Sequence, residues 1–130
     1  MDLPPDFSLS LYTDNGSVPP RYRTSRRITI CASGEGERAV SHGYGAEMST
    51  TPFMVPKEDL VALYADLVAL GLFSTEWRQS DRRTVGGGSK RLDVSADGVS
   101  VDVPTQLVQE QREARNAIVE RIATLVSEAD

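Results

Sequence analysis

Leu92-Asp93-Val94-Ser95-Ala96-Asp97-Gly98-Val99-Ser100-Val101-Asp102-Val103 decides the fold. Apolar residues alternate on both sides of Asp97-Gly98, and a two-residue Asp-Gly loop between alternating runs marks a tight β-hairpin. The register is self-consistent. Ala96 faces Val99, Val94 faces Val101 and Leu92 faces Val103, all on one side of the sheet. On the other side Asp93 faces Asp102. Like charges set opposite one another destabilise a sheet, so a partner is expected. A hard cation is one option. The preferred one is an arginine from a neighbouring strand, for which Arg21, Arg23 and Arg27 share a parity.

Upstream, Phe7, Leu9 and Leu11 alternate with Ser8, Ser10 and Tyr12, the pattern of a half-buried strand. Asp14-Asn15-Gly16-Ser17 is turn chemistry, and Pro19-Pro20 excludes regular pairing there. A second strand places Tyr22, Thr24, Ile28 and Ile30 on one parity. Arg26 breaks that parity, which predicts a bulge near Ser25 or pairing that begins only after it. Gly34-Glu35-Gly36-Glu37 is the next turn, and Arg38 to Met48, around Tyr44, forms a weaker third strand. Phe53 and Val55 then lead into a helix.

Leu60, Leu63, Tyr64, Leu67 and Leu70 recur at helical spacing over Asp59 to Phe73. Pro56 fits a first turn, and Glu58 and Asp59 favour the positive end of the helix dipole. Gly71 sits where a left-handed residue ends a helix, with Leu72 placed to fold back on Leu67. A second helix begins after Thr105 as its cap and carries Leu107, Ala114, Ile118, Ile122 and Leu125 inward. The order is β-β-β-α-β-β-α: a single α+β domain over 1–130, with an antiparallel sheet of about five strands and both helices on one face. The core should hold Leu9, Leu11, Ile28, Ile30, Leu60, Leu63, Leu67, Leu70, Phe73, Leu92, Val94, Val101, Ile118, Ile122 and Leu125.

Composition narrows the chemistry. The chain has 130 residues, 19 acidic against 14 basic, for a formal charge of -5. That balance makes nucleic acid an unlikely partner, since such binding draws its affinity from cations on phosphate. Cys31 and His42 are the sole residues of their types, which removes an intrachain disulfide, a cysteine cluster for zinc and most familiar metal sites, and no nucleophile-base pair can be placed around His42. No catalytic residue, metal site or cofactor is predicted. No apolar run approaches the roughly 20 residues that span a bilayer, and no leader pattern opens the chain, so a cytoplasmic protein without a membrane partner is expected.

Ligand-binding chemistry concentrates in 74–91. Trp77, Arg78, Arg82, Arg83, Lys90 and Arg91 flank Gly86-Gly87-Gly88, and flexible glycine backbone with cations can cradle an anion or nucleotide. The spacing is not that of a P-loop. The plainer alternative is that Trp77 lies as a lid on the core and the arginines are solvated. Arg21, Arg23, Arg26 and Arg27 around Tyr22 form a second basic cluster.

The turn between Thr13 and Val18, the strand ending at Ile30, the helix of Asp59 to Phe73 and the Asp97-Gly98 hairpin follow one another in an order that resembles the small bacterial emfourin-type domains, some of which inhibit metalloproteases. Those domains begin with a Gly-Gly-Phe-like turn where this chain has Asp14-Asn15-Gly16-Ser17-Val18-Pro19-Pro20, so no inhibitory residue carries over. The resemblance implies a non-catalytic, inhibitor-like domain with a protein partner. The expected function is therefore a small interaction or regulatory domain, ahead of an anion or nucleotide binder built on 74–91, and then of a carboxylate-based enzyme.

Overall fold

The computed structural model describes residues 3–14, 24–42, 49–80 and 90–129. Its elements run β1 (Ser8–Asp14), β2 (Thr24–Cys31), β3 (Glu35–His42), β4 (Ser49–Met54), α1 (Lys57–Ala69), β5 (Lys90–Ala96), β6 (Val99–Val103) and α2 (Gln109–Ala129). The described strands pair antiparallel in one sheet of order β4-β3-β2-β1-β5-β6. The class is α+β, with six strands among the described residues rather than about five.

The additional strand is β4. Ser49, Thr50 and Thr51 carry no apolar alternation, and Pro52 argues against a central strand. Pro52 is tolerated because β4 is an outer strand, where a missing N–H breaks no ladder. Phe53 lies across from Gly36, and its ring occupies the space a side chain would need there: an added Cβ would sit 2.5 Å from the ring. Gly36 is therefore a strand residue covered by an aromatic, not part of a turn. The reversal before β3 is made by Ala32 to Gly34, where Gly34 has φ +92° and donates to the Cys31 carbonyl at 2.9 Å.

Pairing of β1 with β2 runs unbroken from Ser8↔Cys31 to Asp14↔Ser25. There is thus no bulge near Ser25, and Arg26 stays in register as an exposed residue. Of the expected Asp14–Ser17 turn, Asp14 closes β1, while Asn15, Gly16 and Ser17, with Pro19, Pro20, Arg21 to Arg23 and Tyr44, lie outside the described residues.

The core draws on a single parity of the sheet: Leu9, Leu11, Ile30, Leu92, Val94, Ala96 and Val103 are buried with Leu60, Leu63 and Leu67 of α1 and Ile118, Val119, Ile122, Leu125 and Val126 of α2. Both helices therefore cover the same face. Helix α1 ends as its sequence requires. Gly71 adopts φ +85°, its N–H reaches the Val68 carbonyl, and the Leu72 N–H reaches the Leu67 carbonyl, the two bonds of a Schellman turn. Leu72, folded back by that turn, is fully buried. Leu70, expected inside, is 39% exposed. It is the C-cap residue, on the flank of the Leu60-Leu63-Leu67 stripe.

Helix α2 starts at Gln109, four residues past the expected Thr105 cap. Those residues are engaged elsewhere. Leu107 bridges to Gln79, the Ser80 N–H donates to the Gln106 carbonyl at 2.6 Å, and the Val108 N–H donates to the Arg78 carbonyl at 3.2 Å. Leu107 is buried, but as part of this bridge and not of the helical stripe. An ion pair joins the helices, Arg121 Nε to Asp66 Oδ2 at 2.6 Å. No helix of the described residues is long and apolar enough to cross a membrane.

Candidate functional site

With both helices on one side, no described helix covers the opposite side of the sheet. Its residues follow from the register. One row across the strands reads Ala39, Arg27, Tyr12 and Arg91. The next reads Glu37, Thr29, Ser10, Asp93 and Asp102, and a third contains Cys31, Ser8, Ser95 and Ser100. Hydroxyls and charges dominate because these positions alternate with the leucines, isoleucines and valines of the core face. Ser10, Tyr12, Asp14, Arg27, Thr29, Arg91, Asp93 and Thr105 line an open recess of about 610 Å³ over the middle of this face.

The aspartates do face one another, Asp93↔Asp102. Their cation is Arg91, two residues from Asp93 on β5, whose Nε lies 3.6 Å from Asp93 Oδ2 and whose Nη2 lies 3.2 Å from Asp102 Oδ2. The expected neighbour was β2. Strand β1 stands between β2 and the hairpin, so Arg27 reaches the recess from its far side, while Arg21 and Arg23 lie outside the described residues. Partial burial, followed by the facing Asp102 carboxyl, raises the Asp93 pKa above the usual aspartate value, and Arg91 opposes that rise. One guanidinium serves two carboxylates.

The hairpin is also held from the N-terminus. Asp97 and Gly98 both take positive φ, 52° and 75°, and present two adjacent N–H groups. Asp6 accepts both, from Asp97 at 2.7 Å and from Gly98 at 2.8 Å. Those bonds, Gly98 first, hold the Asp6 carboxyl below its usual pKa. Phe7 follows directly into the core.

Within 74–91 the described residues divide. Trp77 is half-buried against the core and its Nε1–H donates to the Leu72 carbonyl at 3.0 Å, which is the lid arrangement. Gln111 pins the segment. It accepts from the Arg78 N–H at 2.8 Å and donates to the Glu76 carbonyl at 2.7 Å. The Arg78 side chain is exposed, Lys90 starts β5 opposite Thr13, and Arg91 belongs to the open face. Arg82, Arg83 and the three glycines lie outside the described residues. The structure therefore places Arg91 with Tyr12, Arg27 and Asp93, and places Trp77 with the core.

Tyr12, Ser10 and Thr29 are the residues that sequence reasoning passed over. Their signal was present in the polar parity of β1 and β2, but only the sheet order puts them beside Arg91. Among the described residues no group of three or more His, Cys, Asp and Glu side chains gathers as a metal site would need. No protein-family model matches the chain, and no curated relative matches it.

Proposed function

We propose that this is a cytoplasmic, non-catalytic interaction domain that binds a protein partner through the uncovered face of its sheet, in the inhibitor-like manner suggested by the order of its elements. The observation that carries the reading is the recess itself. It is a concave surface lined by an aromatic, two arginines, two aspartates and several hydroxyls, on a rigid central part of the sheet. Interfaces favour tyrosine and arginine of this kind. The side chains there are set by register on β1, β2 and β5, so the surface is pre-organised.

The test is retention of a partner by immobilised protein. Tyr12→Ala with Arg27→Ala should abolish retention, whereas Glu120→Ala, in the groove between the two helices, should leave it intact. Equal retention by both variants contradicts the reading.

The row Arg27, Tyr12 and Arg91 also favours a second reading, an anion or nucleotide binder that uses this row rather than 74–91. A ligand at 100 times its dissociation constant adds about 2.7 kcal/mol of stability, so thermal shifts with phosphate and nucleotides separate the two.

A further inference from the structure

The outer side of β6 is the second place where the fold leaves groups open. Residues that flank a two-residue hairpin loop form a hydrogen-bonded pair, and hydrogen-bonded and non-bonded pairs then alternate. Ala96↔Val99, Val94↔Val101 and Leu92↔Val103 are thus the bonded pairs of the β5–β6 ladder. Ser95↔Ser100 and Asp93↔Asp102 are the non-bonded ones, so the N–H and C=O of Ser100 and Asp102 point away from β5. Among the described residues no turn or loop hydrogen bond engages them.

The two outer strands differ. On β4, Pro52 has no N–H to offer, a device that blunts an edge. Strand β6 reads Val-Ser-Val-Asp-Val, with no proline and no lysine, and Val99 is 51% exposed. Such an edge is a template for strand addition.

We propose that β6 is a docking strand, alongside which an extended segment of a partner protein adds as a seventh strand with lysine or arginine side chains over Asp102. The backbone supplies the mode and the carboxylates supply the partner's chemistry. Asp93 and Asp102 share one guanidinium, which leaves a negative charge on the β5–β6 part of the open face, and the Asp102 side chain is 60% exposed beside the edge. A second copy of the chain fits poorly. It would bring four aspartates to one seam between molecules that each carry a formal charge of -5. The inference rests on the domain being a binding module, but not on the recess being its main surface.

Synthetic peptides test it without the natural partner. A labelled Thr-Val-Lys-Val-Lys-Val-Thr peptide places its lysines on the open face and its valines on the helix side. It should bind saturably, about ten-fold tighter than the same peptide with glutamate for lysine, and the preference should shrink with salt because exposed charges are screened. Asp102→Asn should remove most of that preference. Ser100→Pro deletes an outward N–H and the Ser95–Ser100 hydroxyl bond while leaving the β5–β6 backbone bonds in place, and should weaken binding about ten-fold at an unchanged circular dichroism spectrum. Should that variant fail to fold, amide exchange in the unmodified protein gives the same answer: Ser100 and Asp102 exchange fast alone and slow with the lysine peptide. No saturable binding, equal binding of both peptides, or Ser100 and Asp102 amides indifferent to peptide would overturn the proposal. Sedimentation showing a dimer lost in Ser100→Pro would overturn the basic-partner assignment in favour of a second copy.

Discussion

Asp93 and Asp6 are two aspartates at opposite ends of one hairpin that respond to acid with opposite signs. Asp93 has a folded-state pKa raised above its unfolded value, so the folded protein binds a proton more readily there. Its contribution grows as pH falls through that raised value towards the unfolded one. Asp6 has a lowered folded-state pKa, so its contribution is full above the unfolded value and is lost as pH falls through the folded one. Asp93→Asn should therefore stabilise the protein at neutral pH, by no more than about 1 kcal/mol because the site is partly solvent-screened, and should remove the gain seen on mild acidification. Asp6→Ala should lower the melting temperature at neutral pH and flatten the loss at lower pH. Chemical melts across the carboxylate range check both. A destabilised Asp93→Asn would mean that Arg91 outweighs the facing carboxylate. The opposition of Asp93 to Asp102 was legible in the sequence, because a two-residue loop fixes register. The identity of their arginine was not, because parity restricts which face a residue joins but not which strand lies next door.

At the scale of elements, helix α1 was the most legible part of the chain and its C-terminus the best specified. Gly71 holds φ +85°, and alanine there should cost about 1 kcal/mol, since residues with a Cβ resist that conformation. The stripe was right at Leu60, Leu63 and Leu67 and wrong at Leu70, where the core is completed by Leu72 after the chain reverses. Truncation should report this directly. Leu67→Ala and Ile122→Ala should each cost about 2 to 5 kcal/mol, as buried large-to-small changes do, while Leu70→Ala should cost less than about 1 kcal/mol, as at an exposed site. Urea melts that reverse this order would place the stripe on the wrong side of the helix. Strand β4 was illegible for a physical reason. An outer strand needs no alternation of its own, and its one strong signal, Pro52, argues against pairing unless its position at the edge is already known. The start of α2 was missed similarly, because Gln106 and Val108 pair with a segment some 30 residues earlier, a tertiary bond that outweighs Thr105 as a local cap.

For the whole molecule, the sheet order matters more to the proposed binding surface than any single residue. With β1 central, the polar residues of β1, β2 and β5 converge on one recess, and β6 is left as the open edge next to it. The fold class and the helix-covered face could be derived from periodicity. The recess could not, since it requires Tyr12, Arg27 and Arg91 from strands distant in sequence to lie in one row. The proposed binding surface is thus the side of the protein that the helices do not cover. The most direct measurement is amide chemical-shift mapping of the labelled protein as the retained partner is added. Shifts concentrated at Ser10, Tyr12, Thr29, Ser95, Ser100 and Asp102 are the predicted result; shifts concentrated at Ala69, Ala117, Glu120 and Thr124, in the groove between the helices, would contradict it.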